Sequence, residues 1–216
     1  MTAVEPAVPP RFRAWPLLAV SDLATLPQRL PLLDWIDALG RSRVPAVQLR
    51  EKSLADRAVW SLARECRRRL PTTCVLLVNG RADLAHSAGA DGVHLPAAEI
   101  AGSAVRDWLG PGFLVGRSTH GRAEVEAAAS DGVDYVTFGP VFETPGKRSF
   151  GPPLGLASLG EACRVGLPVL AIGGVTIDRL SDVASRGAAG AAGIRLFQDV
   201  PALPALVAEA RELFAT

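Results

Sequence analysis

The stretch Val115-Gly-Arg-Ser-Thr-His120 is followed by amphipathic Arg122 to Ser130 and then by Tyr135-Val-Thr-Phe-Gly-Pro-Val-Phe-Glu-Thr144. Each outer piece begins as a short apolar run and ends in small or polar residues, which is how a buried strand reads when chemistry sits at its end. Strand, helix, strand in that order predicts a right-handed crossover between parallel strands. The first piece ends in His120, and histidine is the side chain most readily used for proton transfer near neutral pH.

The same rhythm extends in both directions. Apolar runs lie at Leu17 to Val20, Ala46 to Leu49, Val75 to Val78, Gly92 to Leu95, Phe113 to Val115, Tyr135 to Phe138, Val169 to Ile172 and Ala189 to Ile194. Between them, apolar residues at three- and four-residue spacings predict helices, among them Leu54 to Leu70, Arg81 to Ala88, Leu156 to Cys163, Ile177 to Ser185 and Pro204 to Phe214. Several runs are apolar throughout, as strands covered on both faces must be. Eight strand-helix units in 216 residues predict a single-domain (β/α)8 barrel over 14–216, preceded by a proline-rich flexible leader over 1–13. The competing architecture is an open doubly wound sheet, but no glycine-rich dinucleotide fingerprint follows the first strand.

Composition narrows the partners. Lysine plus arginine number 23 against 22 acids, so no net field draws the chain to nucleic acid. No stretch is long and apolar enough to span a bilayer, and no membrane partner is expected. Arg67-Arg68-Arg69 reads as the solvated end of a helix, where cations complement the dipole. Cys66, Cys74 and Cys163 show neither metal-ligand nor redox spacing and fit a reducing cytoplasm.

In a (β/α)8 barrel the active site lies at the carboxyl ends of the strands. The residues there are Ser21, Asp22, Gln48, Arg50, Lys52, Asn79, Arg81, His94, Glu99, Ser118, His120, Thr144, Lys147, Gly173, Gly174 and Arg195. Four cations, Arg50, Lys52, Lys147 and Arg195, suit an anionic ligand by their convergence, although each taken singly reads more readily as a solvated loop charge. Gly173-Gly174 follows the seventh run and precedes a helix, so its backbone N–H groups predict a phosphate site. Pro145 to Pro153 reads as a flap over the mouth, and His86 as a surface residue.

These residues resemble the thiamine phosphate synthase and thiazole tautomerase superfamily. The resemblance rests on Gln48-Leu-Arg-Glu-Lys52, Asn79-Gly-Arg-Ala-Asp83, Gly89-Ala-Asp-Gly-Val-His-Leu95, Gly116-Arg-Ser-Thr-His120, Asp134 to Lys147 and Ala171-Ile-Gly-Gly-Val175. It implies a barrel of thiamine biosynthesis that takes a phosphorylated thiazole as its small-molecule partner, and it admits a homodimer. The synthase branch uses Mg²⁺ on a pyrimidine diphosphate and carries Asn-Asp-Arg where this chain has Asn79-Gly80-Arg81. It also carries an aspartate in the segment where this chain has Pro96-Ala-Ala-Glu99. The triplets Asn79-Gly-Arg81 and Gly116-Arg-Ser118, with Leu95-Pro96 and Phe142-Glu-Thr144, are similar to the tautomerase branch.

That branch implies a reaction with no cofactor and no metal, in which a carboxylated dihydrothiazole phosphate becomes aromatic by proton transfer. His120 is then the catalytic residue. Gln48, Arg50, Lys52, Asn79, His94, Ser118, Thr144 and Lys147 bind substrate, and Gly173, Gly174 and Arg195 bind phosphate. His94 reads equally as a packed, hydrogen-bonded core histidine. Arg195 departs from the family, which usually has serine there. Lys147 corresponds to a lysine that grips diphosphate in the synthase. Two alternatives stand beside this expectation: a Mg²⁺-dependent thiamine phosphate synthase, and a catalytically silent barrel that binds thiazole phosphate as a regulator.

Overall fold

A computed structural model describes residues 15–144 and 152–215. The leader expected over 1–13, the core of the expected flap, and Lys147 lie outside these residues. Eight parallel strands close in sequence order into one barrel. They are β1 (Leu17–Val20), β2 (Ala46–Leu49), β3 (Val75–Asn79), β4 (Gly92–Leu95), β5 (Leu114–Thr119), β6 (Tyr135–Phe138), β7 (Val169–Ile172) and β8 (Gly190–Gly193). The helices are α1 (Leu32–Arg41), α2 (Asp56–Arg69), α3 (Ala82–Ser87), α4 (Gly102–Leu109), α5 (Arg122–Ser130), α6 (Gly155–Cys163), α7 (Leu180–Ser185) and α8 (Leu203–Leu213). Every strand pairs with its sequence neighbours, and β1 pairs with β8, Leu18 opposite Ala192. The barrel is therefore the observed architecture, and the open sheet is excluded.

Strand alternation builds two cores. Leu18, Val20, Ala46, Leu77, Leu114, Tyr135, Leu170 and Ala192 meet inside the barrel, with Trp15 against them. Leu17, Ala19, Val47, Leu49, Leu76, Val78, Val136, Phe138, Val169 and Ala171 point outward against the helices. The two-residue period of a strand sends neighbours to opposite faces, and both faces are dry here, which is why the runs read as uniformly apolar. On α8 the buried residues Leu203, Leu206, Val207 and Ala210 follow the three-and-four spacing of a helix laid on the barrel.

The structure extends the sequence reading in several places. Helix α1 is driven by Leu32, Trp35, Ile36 and Leu39, all buried, and the Trp35 indole N–H donates to the Phe197 carbonyl at 2.7 Å, fastening it beyond β8. Helix α4 starts where the Asp131 carboxylate accepts from the N–H groups of Gly102 at 2.5 Å and Ser103 at 3.2 Å, an N-terminal cap supplied from another loop. Strand β5 runs to Thr119 rather than stopping at Val115. Arg67 is not merely solvated: its guanidinium donates to the carbonyls of Leu70, Pro71 and Cys74 and to Asp91, binding the end of α2 to the start of β3. Glycine is required at 116, because a Cβ there would fall 2.1 Å from Cζ of Tyr135.

Candidate active site

Because strands alternate, the inward positions nearest the carboxyl ends can be read from the pairing. Gln48 lies on β2, Asn79 on β3, His94 on β4, Ser118 on β5 and Thr137 on β6, with Asn79 paired to His94 and Ser118 to Thr137. On β7, β8 and β1 the corresponding residues are Ile172, Ala192 with Ile194 beyond it, and Val20, all packed on the inner core. Five neighbouring strands thus supply polar side chains, and three supply none.

The polar sector is knitted together. The Gln48 amide donates to Oδ1 of Asn79 at 3.0 Å. His94 is enclosed, with Nδ1 2.9 Å from the Tyr135 hydroxyl and Nε2 3.0 Å from Oγ of Ser118 and 3.3 Å from Oγ1 of Thr137. Burial, and then the nearby charges of Arg50 and Arg117, push the His94 imidazolium down to about 3, so its ring is neutral at ordinary pH. Burial, reinforced by the Asp134 charge, likewise holds the Tyr135 phenol protonated, well above its usual range. At the end of β2 the buried Glu51 accepts from the Ser21 hydroxyl at 2.6 Å and from the Leu23 N–H at 2.9 Å, while the Arg50 N–H donates to Oγ of Ser21. These bonds tie the loop after β1 to β2 and fix where Arg50 leaves the backbone.

His120 is exposed, one residue beyond β5. Its Nδ1 lies 2.5 Å from the Gly139 carbonyl, and its backbone N–H donates to Glu124 in the first turn of α5 at 2.8 Å. A carbonyl only accepts, so Nδ1 carries the hydrogen and the neutral ring keeps its basic lone pair on Nε2. A general base needs that arrangement.

Gly173-Gly174 bends away from β7 with φ of 94° and 66° and packs on the loop after β6; a Cβ at Gly173 would lie 2.6 Å from Cα of Pro140. The carbonyls of Ile172, Gly173 and Gly174 accept from the N–H groups of Val141 and Phe142 and from the Arg179 guanidinium. In a planar trans peptide the N–H points opposite to the preceding carbonyl. The N–H groups of Gly173, Gly174 and Val175 therefore turn away from those partners. Arg179 also covers the Phe142 ring, its guanidinium carbon 4.6 Å from the centroid, coupling the glycine turn to the β6 loop.

The cations differ in their commitments. Arg50 is half-buried and Lys52 and Arg195 are exposed, and none makes a side-chain hydrogen bond or contact ion pair among the described residues. Arg195 begins a 3-10 turn just past β8. Arg81, in contrast, is held by Asp83 and Asp56 on the rim. Thr144 is half-buried at the last described position before residue 145, and His86 packs against Trp108 and Phe113 on the outside. Sequence reasoning missed Tyr135, Thr137, Glu51, Arg117 and Arg179. Alternation counted inward from Ser118 and His94 is the signal that finds the first two.

Carboxylates are scarce at the mouth. Glu51 is committed to the β1 loop, Asp56 and Asp83 to Arg81, and Glu99 is exposed on the loop after β4. Gly80 occupies a left-handed turn with φ of 72° and offers no ligand atom. Among the described residues no three His, Cys, Asp or Glu side chains converge as a metal site. Mg²⁺ is ordinarily held by one or two carboxylates together with substrate phosphates, and with no side chain at Gly80 the carboxylates left for that role among the described residues are half-buried Asp22 and exposed Glu99.

The chain matches the family described as "Thiamine monophosphate synthase" over residues 17–197. It is 43% identical over 150 residues to a thiamine-phosphate synthase of Anaeromyxobacter dehalogenans, covering 69% of this chain and 68% of that one. Identity to a thiamine-phosphate synthase of Roseiflexus castenholzii is 40% over 168 residues, covering 76% and 72%. The fold is shared with a solved thiamine phosphate pyrophosphorylase of Pyrococcus furiosus at TM-score 0.80 and 24% identity, over 94% of this chain and 98% of that one.

Proposed function

Because this chain belongs to the thiamine monophosphate synthase family, we propose that it is an enzyme of thiamine biosynthesis acting on a phosphorylated thiazole, and that its reaction is the tautomerase proton transfer. The observation that carries the choice is the pairing of an oriented base with a mouth short of carboxylates. His120 keeps a free Nε2 lone pair, while Gly80 removes the side chain at the position where the synthase motif has an aspartate.

In this reading the substrate phosphate rests on the outward N–H groups after β7, with Arg195 beside it. Arg50 and Lys52 hold the ring carboxylate and offset the charge that develops when a ring proton leaves. Gln48, Asn79, His94, Ser118 and Thr144 line the ring, and Lys147 joins them from outside the described residues. Nε2 of His120 takes the proton from one carbon and returns it to another, so no atom is gained or lost and the product is the aromatic isomer. The cysteines form no disulfide, which supports a reducing, cytoplasmic setting.

The names of the relatives favour a second reading, in which the enzyme couples thiazole phosphate to a pyrimidine diphosphate. One experiment separates the two. Purified protein is given the carboxylated dihydrothiazole phosphate and followed by aromatic absorbance, and in parallel is given thiazole phosphate and pyrimidine diphosphate with and without Mg²⁺. The expected result is rapid aromatisation and nearly no thiamine phosphate. Mg²⁺-dependent thiamine phosphate without aromatisation would establish the coupling reaction instead.

A further inference from the structure

The buried chain from Tyr135 through His94 to Ser118 has no part in the proton transfer described above, yet it ends at the mouth. A neutral imidazole has one N–H and one lone pair, so only two arrangements connect these groups. In one, Nδ1–H donates to the phenol oxygen and Nε2 accepts from Ser118. In the other, the phenol donates to Nδ1 and Nε2–H donates to the serine.

Two features of the geometry select the second. A phenol is a more acidic hydroxyl than that of serine or threonine and is the natural donor to a basic ring nitrogen. Nε2 faces two hydroxyl oxygens, 3.0 Å away in Ser118 and 3.3 Å away in Thr137. An N–H can be shared between two acceptors, whereas one in-plane lone pair cannot take two hydroxyl protons at once.

We infer that His94 is a positioning residue that fixes Ser118 as a hydrogen-bond donor to the ligand, with the Tyr135 hydroxyl setting its tautomer. The Nε2–H occupies a lone pair of Oγ, and among the described residues Oγ has no other partner, so the serine proton is left for the mouth. Ser118 is half-buried there, at the end of β5. It selects an acceptor on the ligand, such as a ring nitrogen or a carboxylate oxygen, and rejects an N–H at the same place. The identity of that ligand rests on the proposed function; the tautomer does not.

The test starts with ligand-free protein labelled with ¹⁵N at histidine. Long-range proton-nitrogen NMR should show a pyrrole-type Nε2 and a pyridine-type Nδ1 for His94; the reverse assignment overturns the inference without any variant. Affinity for thiazole phosphate is then measured by calorimetry. His94→Leu should weaken it about three- to tenfold, and His94→Gln, whose amide N–H can replace Nε2–H, should restore most of the loss. In a Ser118→Ala background His94→Leu should cost nothing further. An equal loss with and without the serine hydroxyl would make His94 a packing residue only. Thiazole phosphate failing to bind the wild type would sink the functional reading, while the NMR assignment would still decide this one.

Discussion

The two sides of the barrel mouth are built on different principles. From β2 to β6 the inward residues are Gln48, Asn79, His94, Ser118 and Thr137, each bonded to a neighbour. From β7 round to β1 they are Ile172, Ala192 and Val20, and the polarity comes instead from a glycine turn and from Arg195, whose side chain has no hydrogen-bond or ion-pair partner among the described residues. The first side is settled before any ligand arrives, since buried polar groups must be satisfied within the fold. The second leaves charge and backbone donors unspent, which an anionic ligand would complete. Damage to the saturated side should therefore register in stability and, through Ser118, in binding, and damage to the unsaturated side in binding alone.

His120, one residue beyond β5 and bonded to the Gly139 carbonyl after β6, gives the largest expected effect. His120→Asn keeps a polar side chain but cannot carry a proton, and aromatisation should fall by about 10²- to 10⁴-fold while affinity for thiazole phosphate holds. A wild-type rate, read from aromatic absorbance, would make His120 a loop residue and favour the silent binding barrel. Next in size is Arg195→Ser, which should weaken thiazole phosphate by about 1.5–3 kcal/mol and leave the urea midpoint unchanged. A shifted midpoint with unchanged affinity would assign Arg195 to the structure and break the contrast.

The smallest effect belongs to the saturated side and depends on pH. His94 titrates near 6.5 in an unfolded chain and is pushed down to about 3 in the fold. Between those values the unfolded chain binds the proton and the folded one does not, so stability rises with pH across that window and falls on acidification. His94→Gln removes this contribution. Between pH 7 and pH 5 the wild type should lose about 1–2 kcal/mol more than the variant in urea titrations. Parallel pH profiles would show that His94 is not buried neutral.

The rhythm of apolar runs was enough to read the barrel, because strands dry on both faces have no polar residue to interrupt them. Where side chains of the fifth strand turn polar, the same reading failed: Arg117, Ser118 and Thr119 resemble loop yet remain in β5. Arg117 lies outside the barrel, where its guanidinium donates to the carbonyls of Ala97 at 3.2 Å and Ile100 at 2.5 Å and holds the loop after β4. Tyr135 was legible as strand but not as site, since its hydroxyl meets His94 only when four residue types from three strands are brought together. Helix α1 went unread although Leu32, Trp35, Ile36 and Leu39 carry the spacing, because the prolines before it suggest loop. Gly173-Gly174 was the reverse case. Its position after the seventh strand was sufficient to single it out, and the carbonyls turned toward Val141, Phe142 and Arg179 are the geometric detail that a sequence does not carry.

The pairing of β1 with β8 has a consequence for how such a chain is made. The edge of β1 that accepts β8 pairs with the strand farthest from it along the chain, and on a ribosome β8 is the last of these eight strands to emerge. Until then the nascent barrel is an open curl with an unpaired apolar edge, the form in which strands recruit strangers. Loop-closure entropy for this final seam is large, and the reward comes only once Leu17 and Ala19 meet Ala191 and Gly193. Folding and ligand competence thus mature in the same event, because Arg195 reaches the rim only as the last strand seals the wall.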